Sequence, residues 1–440
     1  LSTLFPSTRR FRSYHPARDE ETLPAAPPAL HRGNCGTDFW VAFHDPCSSP
    51  GLNCPGVGVG PLSREIFVTG EAHTIVRVEV PEIALHGAVE INPAGVGRIT
   101  FDYNDPHQDE RASIPGSGIR SRRTIHVTAP REVCLQGMSF QEASTEAFLG
   151  IATPNLGTDY VIASYGRPSF GGSPSVFTVV GTVAGTSVTI TSPVALVDGP
   201  DTPGTGNLPA NVPFTVTLGL GEAMTLRAAA VGSLGGDDTT GTLISATAPV
   251  GVFGGHACAF VPPTRPACDY LIEQIPPTDR LGSDFLVAPF GARASGYILR
   301  VVSATDGTDV FLDGVLVATL ARGAFWERDE TTQAYHHLTT SHDALAYQLA
   351  KGTTTDSALG DPFLLVLVPT EQFGTNVVTN TVPEEVDDEE PFDNWMTLVA
   401  RTSDEGGLRI DGAPVTAAFV AIGATGYAAA LVNTTSGVHR

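Results

Sequence analysis

The stretches GTDFWVAF from Gly36, GTDYVIAS from Gly157 and GSDFLVAP from Gly282 write one pattern three times. Each has a glycine, a small hydroxyl residue, an aspartate and an aromatic, followed by an apolar run. The boxes recur every 121 to 125 residues, so the repeating unit has the size of a small domain. The segments downstream of the boxes recur as well. After Gly157 come SVFTVVGTVAGTSVTITSP, VPFTVTLGLGEAMTL and GTLISATAPVGVFGG. After Gly282 come GYILRVVSATDGTDVFLDG, VLVATLARGAFWE and YHHLTTSHDALAYQLAKG. A looser version succeeds Gly36, and a further copy starts near Phe373 and runs into NWMTLVARTSDEGGLRIDG.

Runs such as TSVTITSP and DVFLDG alternate apolar and polar residues, and no long stretch keeps a helical period. Period-two alternation with frequent turns predicts antiparallel strands. Asp306-Gly307, Asp313-Gly314 and Asp411-Gly412 read as hairpin turns. The chain is therefore expected to be all-β, as tandem sandwich-like repeats, about four in number with the last incomplete. A β-propeller is the alternative, disfavoured because a blade needs only about 40–50 residues. The expected division is an extended basic, Pro-rich arm over 1–35, then repeats over 36–150, 151–275, 276–372 and 373–440. Within each box Phe39, Tyr160 and Phe285 should plug the unit's core. Gly36, Gly157 and Gly282 open a turn in which Asp38, Asp159 and Asp284 accept backbone N–H groups. A ligand-binding aspartate in each copy is the competing reading.

The formal net charge of −22 argues against nucleic acid and anionic membrane surfaces as partners. Lys351 is the sole lysine; codon bias explains this more simply than selection against surface amines. The arm is the exception in charge. Arg9, Arg10 and Arg12 lie among Phe5, Phe11 and Tyr14, a basic and aromatic segment suited to docking on an acidic neighbour. VTAAFVAIGATGYAAALV, residues 415–432, is uncharged, but its internal Gly-Ala-Thr-Gly predicts a hairpin rather than a membrane span. The fourth repeat stops at SGVHR, before a strand like APVGVFGG, so an extended segment or further chain is expected to complete it.

Six cysteines, with no CxxC pair, read as disulfides of an exported protein. Cys258 with Cys268, and Cys47 with Cys54, could each close a short loop, leaving Cys35 and Cys134 as the long-range pair. Spacing alone leaves the connectivity open.

No nucleophile elbow, HExxH, phosphate loop or dinucleotide fingerprint is present, and no enzymatic activity is expected. His256 beside Cys258 could form a dyad, but a buried histidine next to a disulfide is the simpler reading. His336 and His337 are adjacent on a strand, so they face opposite sides and cannot share a metal. Acidic stretches at 102–110, 235–241 and 383–394 could hold calcium weakly, though none has a known calcium-loop spacing. No cofactor is expected.

The stretch from Thr247 to Gly314 resembles the signature of the IgGFc-binding protein N-terminal domain family. It holds APVGVFGGHAC, then CDYLIEQIPP, the GSDF box and a VVSATDGTDV strand; GDPFLLVLVPTEQF at 360–373 matches a further family element. The matching blocks extend loosely over 36–440. Cys258 and Cys268 fall on the family's loop cysteines. The resemblance implies a secreted or cell-surface, non-catalytic interaction module, of the bacterial type, that binds a protein or glycan ligand. The alternative is a structural subunit that assembles with itself through its N-terminal arm.

Overall fold

The computed structural model describes residues 34–45, 62–102, 112–141, 144–166, 168, 173–204, 206–229, 237–356, 360–375, 377–381 and 393–440. Among them the one α-helix is a single turn, Thr353–Asp356. Everything else that is regular is strand or short 3-10 turn.

The first copy contains β1 (Gly36–Val41), β2 (Leu62–Gly70), β3 (Ile75–Val80), β4 (Leu85–Glu90), β5 (Val96–Asp102), β6 (Arg120–Ser121), β7 (Ile125–Gln141) and β8 (Glu146–Leu149). The second contains β9 (Gly157–Val161), β10 (Ser175–Gly181), β11 (Thr186–Thr191), β12 (Phe214–Leu218), β13 (Ala223–Arg227), β14 (Leu243–Ala259) and β15 (Asp269–Gln274). In the third are β16 (Gly282–Val287), β17 (Tyr297–Ser303), β18 (Thr308–Leu312), β19 (Val315–Leu320), β20 (Phe325–Glu330), β21 (His336–Ala350) and β22 (Leu364–Val366).

The three sheets run β4-β3-β7-β2-β5, β12-β11-β14-β10-β13 and β19-β18-β21-β17-β20. In each, the box strand and the last strand also pair with the long strand. Apart from β6, which extends the second sheet at β13, the three orders correspond strand for strand. They are curled antiparallel sheets, not the radial blades of a propeller.

The long strand carries the curl. Asp38 faces Thr128 while Gly36 faces Val133. Asp159 and Gly157 face Ser245 and Val250, and Asp284 and Gly282 face Thr339 and Ala344. Two steps along the box therefore match five along the long strand in every copy, an irregularity that bends the strand sharply. In the first copy the half of β7 before the bend pairs with β3 and β1. The half beyond it pairs with β2 and β8. One strand thus serves two layers, and the apolar face of each layer closes on the other. Phe39, Val78 and Val127 from one layer meet Ile66, Phe101 and Leu135 from the other in a single cluster.

The copies do not have separate interiors. Phe177 and Val179 of β10 face the second copy's own core. Val180, Phe253, Tyr270 and Ile272 from that sheet's reverse side join the core of the first copy. The third copy repeats this one step on. Leu299 and Val301 face inward, while Ile298, Val302, Tyr347 and Leu349 enter the core of the second. At that junction Arg300 is buried against Asp238 at 2.8 Å and Glu327 at 2.7 Å. Its guanidinium lies 4.5 Å from the ring centres of both Tyr165 and Phe325.

The region expected as a fourth copy comprises β23 (Thr379–Thr381), β24 (Asn394–Arg401), β25 (Arg409–Ile410), β26 (Ala413–Pro414), β27 (Val420–Ala421), β28 (Tyr427–Thr434) and β29 (Gly437–His439). They form three small sheets, β24-β28-β27, β23-β29 and β25-β26. Asp411 and Gly412 turn between β25 and β26 with φ of 54° and 79°, as Asp313 and Gly314 do between β18 and β19 with 51° and 78°. Positive φ at both positions is the hairpin geometry that Asp-Gly favours. Each aspartate then holds a histidine, Asp313 to His336 Nδ1 at 2.7 Å and Asp411 to His439 Nδ1 at 2.8 Å. β29 therefore stands where the long strand of the third copy begins. Ile422 and Ala429 of the fourth copy pack back on Leu286 and Ala288 of the third. The uncharged 415–432 stretch contains β27 and most of β28, paired antiparallel. Among the described residues no helix is long and apolar enough to cross a membrane.

Candidate functional site

The box residues divide into close packing and charge pairing. Phe39, Tyr160 and Phe285 are fully buried in the cores, and the Tyr160 hydroxyl donates to the Val250 carbonyl at 2.6 Å. The glycines mark a close approach. A Cβ on Gly36, Gly157 or Gly282 would lie 2.4–2.5 Å from a Cβ of Ala152, Pro277 or Pro369 respectively. Each contact brings the start of a copy against the turn that ends it.

The expected turn is not what the triplets form. Gly-Thr/Ser-Asp is already strand in all three copies, and its aspartates bond side chains, two of them across to the long strand. Asp38 pairs with His126 Nε2 at 2.8 Å and Asp284 with His337 Nε2 at 3.2 Å. Asp159 accepts from the Thr158 hydroxyl at 2.8 Å. Pairing with the long strand sets this, because the aspartate and the histidine sit diagonally on one face. Burial works against the Asp38 carboxylate, but hydrogen bonds from His126 and Thr153 hold it below its usual value.

Sulfur–sulfur bonds join Cys35 to Cys134 and Cys258 to Cys268. Cys47 and Cys54 lie outside the described residues, as do the arm residues Phe5, Arg9, Arg10, Phe11, Arg12 and Tyr14. His256 Nδ1 accepts from the Cys258 backbone N–H at 3.0 Å. Burial pushes the imidazole down to about 3, which leaves it neutral beside a sulfur already committed to a disulfide. His336 and His337 go to different carboxylates, as adjacent strand residues must. Residues 103–111 and 382–392, most of two acidic stretches, are outside the described set. In the third, Asp238 serves Arg300. Among the described residues no group of three or more His, Cys, Asp or Glu is placed to hold a metal ion.

The feature that sequence reasoning missed lies where the last strands of the copies converge. β8, β15 and β22 run side by side there, along a cavity of about 710 Å³ that β24 also borders. Its wall carries carboxylates that bridge copies. Glu146 Oε2 accepts from the Leu364 N–H at 3.0 Å, and Glu273 is hydrogen-bonded by the Val366 N–H. Carboxylates from the first and second copies thus satisfy main-chain donors of the third copy's last strand. Burial pushes both groups well above the ordinary carboxylate range, and for Glu146 the charges of Glu273 and Asp269 add to it. Asp361 accepts from Thr145 N–H at 3.3 Å, while burial raises it too.

Beside Glu273, Gln274 is 3% exposed and lines the same cavity. Its Oε1 accepts from Ile151 N–H at 2.8 Å, but its Nε2 has no partner. The mouth is apolar: Leu149, Leu365, Val368 and Trp395 all line it and are exposed. A sequence signal for the wall existed, namely a carboxylate inside the apolar run YLIEQI.

The cavity thus sits on a stack of β-sandwich-like copies, the first and second of which carry a disulfide each. The chain belongs to the IgGFc binding protein family, whose model matches residues 146–440. It is also similar to the IgGFc-binding protein of Homo sapiens, with 24% identity over 305 residues. That match covers 69% of this chain and 5% of the human protein, so the chain spans a small part of that relative's length. The family match starts at β8, yet the first copy, before it, has the same strand order.

Proposed function

We propose that this chain is a non-catalytic, extracellular binding module of the bacterial type, and that the cavity at the convergence of β8, β15 and β22 is its ligand-facing surface. The observation carrying this reading is the combination of an exposed apolar rim with a buried polar floor that is incompletely hydrogen-bonded. Isolated exposed apolar residues are ordinary, whereas a contiguous set around a concavity marks a contact surface. The human relative's name states that it binds the Fc part of immunoglobulin G, so purified Fc is the first protein ligand to try, beside a glycan panel. Saturable binding to immobilised protein, lost in Trp395→Ala and Leu365→Asp, is the expected result. Binding that persists in both variants would remove the cavity from this reading.

Self-assembly is the second reading, favoured by one observation: Asn34, the first described residue after the basic arm, lines the cavity. Deleting residues 1–20 should then shift the sedimentation profile. An unchanged profile rejects a role for the arm.

A further inference from the structure

The chemistry of the cavity narrows the class of ligand, on the premise that the cavity is the binding surface. Its floor is lined by carboxyl groups. Glu146 and Glu273 come from different copies, and each accepts from main-chain N–H groups. Neither has an arginine or lysine partner among the ion pairs of the described residues. Arg293, a part-buried cation that lines the cavity, is committed elsewhere. It donates to the carbonyls of Lys351, Gly360 and Asp361 at 2.8–3.2 Å and lies 3.5 Å from Asp356. Arg280 stands exposed at the border. Two buried carboxylates without a counter-charge favour either protons or an incoming cation.

Gln274 supplies the second, independent observation. Its unpaired amide Nε2 is a buried donor at the cavity wall, and leaving such a donor unmatched is costly. A peptide carbonyl is the acceptor that accompanies a side chain entering from a polypeptide. Around the mouth, Leu365, Val368 and Trp395 offer apolar surface for the stem of a long side chain and its neighbours. A divalent metal fits poorly, since no cluster of three ligating groups is present among the described residues.

We infer that the cavity receives an arginine or lysine side chain presented on an extended segment of a protein partner. The cation sits against the Glu146–Glu273 floor, an adjacent backbone carbonyl accepts from Gln274 Nε2, and flanking apolar residues cover Trp395 and Leu365.

The test is calorimetric titration of the full chain with a capped heptapeptide that carries two arginines among leucines and glycines. The same peptide with glutamates in place of the arginines is the control. Saturable binding of the arginine peptide alone is expected, weakened tenfold or more by Glu273→Gln and severalfold by Gln274→Leu. Equal binding of the two peptides, or unchanged affinity in Glu273→Gln, overturns the proposal. Should Glu273→Gln fail to fold, hydrogen exchange of the wild-type chain decides: added arginine peptide must protect amides of β15 and β22, and no protection is a negative result. If the arginine peptide does not bind while the rim variants still abolish Fc or glycan binding, the ligand chemistry falls and the site stands.

Discussion

The second and fourth copies use the same strand-and-hairpin chemistry, yet they pack very differently. In the second, β14 runs 17 residues through a bend, and every residue of β10 beside it is buried. In the fourth, β24 is half-exposed along its length. There β24-β28-β27 and β25-β26 are separate sheets. Local turn chemistry therefore sets where strands reverse. Burial on both faces comes from the strand that bridges the layers and from the copy stacked behind it.

Arg300→Ala is the strongest way to break this comparison. Arg300 lies at the buried junction between the second and third copies, and its loss leaves Asp238 without its counter-charge in the interior. Breaking a buried pair of this kind costs about 3–5 kcal/mol. The expected result in chemical denaturation is a large fall in midpoint; a change under about 1 kcal/mol would mean the junction between copies carries little stability.

A glycine pair sharpens the same contrast. In the second copy a Cβ at Gly157 would lie 2.5 Å from Pro277 Cβ, whereas Gly407 in the fourth has nothing within 4 Å. Gly157→Ala should cost about 1–3 kcal/mol through overpacking, and Gly407→Ala within about 0.5 kcal/mol of nothing. Equal thermal shifts in the two variants would contradict this packing.

The smallest effect concerns pH. Glu146 and Glu273 are raised in the folded protein. Above the unfolded carboxylate value, the folded chain therefore holds more protons than the unfolded one, and stability falls as pH rises through that window. Glu330 has the opposite sign. Burial opposes its charge, but bonds from Thr332, His336 and Arg328 hold it down to about 2. Its contribution is full above the unfolded value and is lost as pH drops toward the folded one. Melting curves taken upward from mildly acidic pH should slope downward in the wild type and flatten in Glu146→Gln with Glu273→Gln. An unchanged slope would show that these carboxylates do not titrate as placed.

Much of the architecture was legible. Alternation gave strands, Asp-Gly pairs gave hairpins, and the repeated box gave buried aromatics at Phe39, Tyr160 and Phe285. The bend in the long strand was not, because a run such as LISATAPVGVF carries no local mark of changing partners midway. The Asp38 and Asp284 pairings were missed for a related reason. An aspartate after Gly-Thr or Gly-Ser fits a turn locally, and only cross-strand register places His126 or His337 beside it. The carboxylate wall was hardest to foresee. Glu146 and Glu273 sit 127 residues apart, and burial of both depends on three separate strands converging.

The stacking also dictates how the array would answer a pulling force. Each sheet that closes the interior of the copy before it is at the same time half of its own copy. Load therefore cannot extract the second copy without tearing open the first and baring the reverse side of the third copy's sheet. The fourth rests on the third through a few side chains around Ile422 and Ala429, and so it is the element that should peel away first.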